Sequence, residues 1–174
     1  MKEKRVFSKE IFKGKVVSLR VDEIVTDKGV KAEREVISHN GGACILAVKD
    51  GKILLERQFR YPYGEVVWEI PAGKREGSEE FMETARRELE EETGLIPLNL
   101  KEILTLYPSP GYTNEIIGVF YADEFKDGKL NFDDTEDILS CWKDEREVYD
   151  MIENKEIKDG KSLAALLWYF SRKK

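Results

Sequence analysis

Apolar and charged residues alternate through residues 1 to 40, as in Lys15-Val16-Val17-Ser18-Leu19-Arg20-Val21 and Arg34-Glu35-Val36-Ile37. A period of two sends successive side chains to opposite faces, so these stretches predict two or three antiparallel strands, turned at Gly14 and at Asp27-Lys28-Gly29. Two apolar strands are expected next, over Ala43 to Val48 and Ile53 to Leu55, joined across Asp50-Gly51, a dipeptide suited to the positive φ angles of a tight hairpin turn. Val66 to Ile70 reads as a further strand, stopped by Pro71-Ala72-Gly73.

The period then changes. Phe81, Met82, Ala85 and Leu89 recur at helical spacing among mostly charged neighbours, which predicts an amphipathic helix over Glu79 to Thr93. Ser78 is expected to cap its start, Glu79 and Glu80 suit the positive end of the helix dipole, and Gly94 suits the left-handed residue after its end. Strands are predicted at Ile103 to Leu106, Ile116 to Tyr121 and Ile138 to Trp142, and helices over Glu145 to Asn154 and Lys161 to Phe170, around a Lys158-Asp159-Gly160 turn. With no internal repeat and no low-complexity linker, the pattern gives a mixed sheet flanked by helices, α+β in class.

Composition narrows the function. The 174 residues are 41% hydrophobic and 37% charged, a globular balance with a dense charged surface. A formal charge of −6 argues against a sequence-independent nucleic-acid binder, which needs a basic stripe along the phosphate backbone. No nucleic-acid partner and no membrane are expected: there is no apolar run long enough to span a bilayer, and Met1 to Glu10 is charged rather than shaped like a signal peptide. A soluble, cytoplasmic protein is the expectation. Cys44 and Cys141 stand in separate apolar segments and make neither a disulfide framework nor a zinc site, so both are read as buried small hydrophobes; the lone His39 is read as structural.

The chemistry concentrates on the central helix. Glu88 and Glu92 are four residues apart and therefore differ by only about 40° around the axis, with Glu91 on the neighbouring flank, while Ala85 and Leu89 point to the core. Like charges at this spacing repel by roughly 0.2–0.5 kcal/mol per pair on an isolated helix. A solvated face tolerates that; a hard divalent cation offsets it. Mg²⁺ takes oxygen ligands at about 2.0–2.1 Å and usually combines a few carboxylates with waters and substrate phosphates, which lets an acidic protein bind an anionic diphosphate.

The spacing is more specific than the composition. Gly73, Glu79 and Arg87-Glu88-Leu89-Glu90-Glu91-Glu92-Thr93-Gly94-Leu95 fill every fixed position of the Nudix box: Gly, five residues, Glu, seven residues, Arg-Glu-aliphatic-any-Glu-Glu-any-Gly-aliphatic. With Gly and Glu each near about 7% of residues, a chance match has a probability on the order of 10⁻⁸ or less per starting point. The chain thus resembles the Nudix hydrolases, and the resemblance implies an α/β/α sandwich with a mixed sheet and an N-terminal antiparallel β arm. It also implies that Glu88 and Glu92 are principal metal ligands, that Glu91 is a further ligand or the base, and that the Ala72 carbonyl completes a site for Mg²⁺ or Mn²⁺. Arg87 and Glu79 would steady the loop and orient the carboxylates through a salt bridge.

The box defines hydrolysis of a diphosphate joined to some group; the substrate must come from elsewhere. Tyr107-Pro108-Ser109-Pro110-Gly111-Tyr112-Thr113-Asn114-Glu115 resembles the Ser-Pro-Gly segment and following Glu of ADP-ribose pyrophosphatases, which implies substrate-binding roles for Pro110 and Glu115. Arg60 and Arg34 fall where that subfamily uses Arg to grip diphosphate or adenine, although Arg34 reads equally as a surface strand arginine. The base of the subfamily often lies on a loop after the box, which here is Asp133-Asp134-Thr135-Glu136-Asp137; Glu136 is the choice and Asp134 the substitute. The N-terminal strands resemble an arm exchanged between two protomers. Residues 1–40 are therefore expected to form the arm of a homodimer and 41–174 the hydrolase domain, acting on a small nucleoside diphosphate sugar, ADP-ribose in the first place. A GDP-mannose or other sugar-nucleotide pyrophosphatase is the alternative, and a non-catalytic sensing module is disfavoured because every box carboxylate remains.

Overall fold

In the computed structural model, which describes residues 2–131 and 137–173, the chain divides into two compact units, Met1–Gly41 with Tyr107–Ile116 and Gly42–Leu106 with Ile117–Lys174. The alternating N-terminal stretch becomes three strands of the first unit, β1 (Glu3–Lys13), β2 (Val17–Thr26) and β3 (Lys31–His39), ordered β1-β2-β3 and antiparallel throughout. Asp22, buried on β2, is held by the Ser8 hydroxyl at 2.6 Å and Arg20 Nε at 3.0 Å. The segment 107–116 docks on β3: the Ile37 N–H donates to the Tyr112 carbonyl at 2.7 Å and the Asn114 N–H to the Ile37 carbonyl at 3.1 Å.

In the second unit, β4 (Gly42–Lys49) is the central strand. It pairs with β5 (Lys52–Arg60) through a hairpin whose turn residues Asp50 and Gly51 have φ of 52° and 73°, the geometry that the Asp-Gly pair predicts. Beyond it lie β6 (Glu65–Glu69), β7 (Ala72–Lys74), α1 (Phe81–Thr93), β8 (Leu95–Pro97), β9 (Lys101–Leu106), β10 (Ile117–Ala122), β11 (Phe125–Asp127), β12 (Ile138–Asp144), α2 (Glu145–Glu153) and α3 (Gly160–Phe170). The main sheet runs β12-β5-β4-β10-β9, with β6 on β5 and β7 on β4; β4 and β10 are parallel and their neighbours antiparallel, so the sheet is mixed.

Helices cover both faces, which is why β4 reads as an unbroken apolar run rather than an alternating one. Ala43, Ile45 and Ala47 pack with Leu54, Phe120 and the α1 residues Ala85 and Leu89. On the other face Cys44, Leu46 and Val48 pack with Ile53, Leu55, Val148, Ala165 and Leu166 of the layer carrying α2 and α3. A fully buried Leu such as Leu89 contributes about 1.5–3 kcal/mol relative to exposure, enough to anchor α1 by its apolar stripe and leave the acidic side outward.

Several local expectations change. Pro71 ends β6, but Ala72–Lys74 is itself a short strand against β4 rather than a plain stop. The helix starts at Phe81, not Glu79, and its cap is Glu80, not Ser78, because Glu79 is drawn into the preceding loop. The short strands β8 and β11, which pair with each other, are additional. Cys44 is fully buried and its thiol is pushed up to about 12, mainly by burial, whereas Cys141 is only half-buried.

Candidate active site

The loop between β7 and α1 is held by one arginine. Arg87 grips Glu79 with two nitrogens, at 3.0 and 3.1 Å, and a third hydrogen bond of 3.0 Å from Nη2 ends on the Lys74 carbonyl. Its Nη1 lies 2.9 Å from both Glu88 and Glu91. Arg87 thereby ties loop and helix together and partly neutralises three box acids, and its own pKa is raised, chiefly by Glu79. The same pairing, with help from the Thr84 hydroxyl and the Glu76 N–H, holds the Glu79 carboxyl at about 2. Glu88 lies directly over Gly73: a side-chain carbon at position 73 would collide with the carboxylate. Gly73 is thus required by a close approach, not by an unusual φ.

Glu92, on the last turn of α1, is buried, with Oε2 accepting the Ala72 N–H at 3.1 Å. Also buried is Glu56 on β5, which accepts the Ser140 hydroxyl at 3.0 Å, the same hydroxyl lying 3.4 Å from the Glu92 carbonyl; burial pushes the Glu56 carboxyl up to about 7. Glu69, the cross-strand partner of Glu56, binds Arg60 through Nε and Nη2 at 2.6 and 2.8 Å and also pairs with Lys161 at the start of α3. Burial raises the Glu69 carboxyl, but Arg60 and Lys161 outweigh it and leave the group below the usual range. Arg60, Tyr63, Val67, Glu69 and Lys161 line a cavity of about 400 Å³. Glu79, Arg87, Glu90 and Glu91 line an open groove of about 670 Å³ with the segment Lys129, Leu130 and Asn131. That segment is fastened to α1 through the Asn131 N–H, which donates to the Glu91 carbonyl at 2.9 Å.

The fold therefore brings together Ala72, Arg87, Glu88, Glu91 and Glu92, with Arg60 in the same unit. Arg34, Pro110 and Glu115 belong to the other unit, where Glu3 occupies Arg34 at 2.6 and 3.1 Å. His39 accepts the Gly41 N–H at 3.0 Å there, with Glu115 at 3.4 Å from the same Nδ1. Glu136 and Asp134 lie outside the described residues. Among the described residues no three His, Cys, Asp or Glu side chains already converge on one ion position; Glu88 leans on Gly73 and Arg87, Glu91 on Arg87, and Glu92 on Ala72. The donors nevertheless suit Mg²⁺, all being hard oxygens, and one or two carboxylates completed by water and phosphate need no prebuilt cage. Glu56, Glu69 and Lys161 went unnoticed in the sequence; the one signal was a charged residue, Glu56, on the inward side of a strand whose preceding inward residue is Leu54.

Compared with known proteins, residues 38–166 match the model of the NUDIX domain. The chain belongs to the Nudix family. It is 38% identical over 169 residues to the ADP-ribose pyrophosphatase of Bacillus subtilis (strain 168), covering 95% of this chain and 91% of that protein. It is 35% identical to the methanol dehydrogenase activator of Bacillus methanolicus, covering 94% and 90%. A solved structure described as an ADP compounds hydrolase superposes with a TM-score of 0.88 over 98% of this chain and 94% of that one; at 18% identity the likeness establishes the Nudix fold.

Proposed function

We propose that the chain hydrolyses the pyrophosphate bond of ADP-ribose to AMP and ribose 5-phosphate. What carries the reading is the end-to-end likeness to the Bacillus subtilis ADP-ribose pyrophosphatase, in a chain that keeps every box residue. Glu88, Glu91, Glu92 and the Ala72 carbonyl would hold Mg²⁺ or Mn²⁺. When bound, the ion supplies charge neutralisation of the diphosphate and Lewis-acid activation at phosphorus. Arg87 keeps Glu88, Glu91 and, through Glu79, the loop in register. Arg60, with Nε and Nη2 committed to Glu69, presents its remaining nitrogen to a phosphate oxygen as charge builds on the leaving group. Glu136 takes the proton from the attacking water; a new P–O bond forms in line as the bridging P–O bond breaks, and the bridging oxygen leaves with the other phosphate. Residues 1–40 act as the arm of a homodimer.

Hydrolysis of ADP-ribose with Mg²⁺ in ¹⁸O-labelled water tests the reaction. The expected products are AMP and ribose 5-phosphate, with label confined to one of them by mass analysis. Release of inorganic pyrophosphate or of free ADP would mean that a different bond is cut.

A further inference from the structure

Lys161 stands where neither helix position nor burial favours it. It is the second residue of α3, at the positive end of the helix dipole, and its side chain is only 13% exposed. A largely buried ammonium is destabilising unless it is paired, and two acids pair it: Glu69 from β6, and Asp159, the cap of α3, at 3.0 Å. Asp159 is itself fixed, accepting the Ser162 N–H at 3.0 Å, and the Ser162 hydroxyl oxygen in turn accepts the Ile70 N–H at 2.9 Å. With Ala165 and Leu166 buried beyond, the first turn of α3 holds the ammonium firmly against the end of β6.

Glu69 thus meets two cations where one would neutralise it, and the two differ. Lys161 is deep and anchored; Arg60, at the end of β5, has a side chain 37% exposed and lines the cavity of about 400 Å³. The Lys161 ammonium and Arg60 Nη2 donate to the same oxygen, Glu69 Oε2, while Arg60 Nε donates to Oε1 at 2.6 Å. Lys161 therefore keeps the carboxylate from turning about its last bond or following the arginine outward. A carboxylate so fixed sets the plane of the guanidinium that forks onto it.

We infer that Lys161 is a positioning residue for Arg60: anchored on α3, it orients Glu69, and Glu69 holds the guanidinium at the cavity in the attitude that meets a phosphate. The inference rests on the proposed role of Arg60. An apolar side chain at position 161 would leave Glu69 paired with Arg60 but free to move with it, and a displacement of about 1 Å in a group that contacts substrate can cost as much as ~10²-fold in rate.

The test is a double-mutant cycle on kcat/KM for ADP-ribose with Mg²⁺, using the full chain, with a melting curve for each variant. Arg60→Ala should lower kcat/KM about 10²-fold, and Lys161→Met at least ~10-fold. Adding Lys161→Met to Arg60→Ala should change kcat/KM by less than about threefold, because the side chain through which Lys161 acts is already gone. A lysine that merely anchors α3 would lower activity by the same factor in both backgrounds. Lys161→Ala, which opens the pair to the cavity and lets water reach Glu69, should behave in the same way and keeps the test open if the methionine variant does not fold. Parental kcat/KM in a folded Lys161→Met or Lys161→Ala protein, or equal losses with and without Arg60, would overturn the inference while leaving the role of Arg60 standing. Parental kcat/KM in Arg60→Ala would remove that role and the inference with it, and a parent chain inert toward ADP-ribose would remove the proposed function as well.

Discussion

One methyl group separates Gly73 from alanine, and at this position its absence decides where Glu88 can lie. The backbone there would accept any residue, because its φ is not in the left-handed region; the obstacle is the carboxylate of Glu88. Gly73→Ala should push Glu88 off the loop and reduce kcat by at least ~10²-fold with only a modest loss of stability, since the displaced group can turn toward water. The double variant Gly73→Ala/Glu88→Ala should melt higher than Gly73→Ala alone and remain inactive. Equal melting temperatures would mean that the methyl group is accommodated some other way. Arg87 works at the same scale, one guanidinium meeting Glu79, Glu88, Glu91 and a carbonyl, so that every acid it touches is oriented by a common neighbour.

At the scale of elements, the Glu79–Arg87 pair is the clasp that fastens the loop after β7 to α1, and its strength depends on pH. Glu79 is held at about 2, below the ordinary glutamate value near about 4.3. A carboxyl depressed in the folded state contributes its stability in full above the unfolded value and loses it as pH falls through the folded one. Melting temperature should therefore fall between about pH 4.5 and about pH 2, and this part of the fall should be flatter in Glu79→Gln. Parallel curves for the two proteins would exclude the clasp as the cause.

The same pair explains which elements were legible. Long strands and helices announce themselves by period: β4, β10, α2 and α3 lie within a residue or so of where the pattern puts them, α1 does except at its start, and β5 runs on to Arg60, beyond the expected Ile53 to Leu55. β7, β8 and β11 have three residues each, too few to display a period. The start of α1 departs from the period because a tertiary contact to Arg87, not a local preference, decides what Glu79 does. In the site, the box residues could be read from spacing because α1 is a regular helix. The ties of Arg60 to Glu69 and of Glu56 to Ser140 could not, since each joins residues from separate segments.

For the whole molecule, the informative surface is β1, whose eleven residues are all exposed, with Val6, Phe7, Ile11 and Phe12 each about half accessible or more. Apolar side chains spread along an open strand invite a second chain. A dimer is expected by light scattering, and a monomer after deletion of Met1 to Thr26; a full-length protein that remains monomeric would end the proposal of an exchanged arm.

The parallel pairing of β4 with β10 has a consequence for how such a chain comes off the ribosome. Gly42 to Ala47 find their partners in Ile117 to Ala122, so the β4–β5 hairpin emerges early and must wait, one strongly apolar edge unfilled, until most of the chain has been made. Pairings so distant in sequence form slowly, and an unfilled apolar edge is where nascent chains associate with one another. The strand at the centre of the finished sheet is thus the most vulnerable part of the unfinished one.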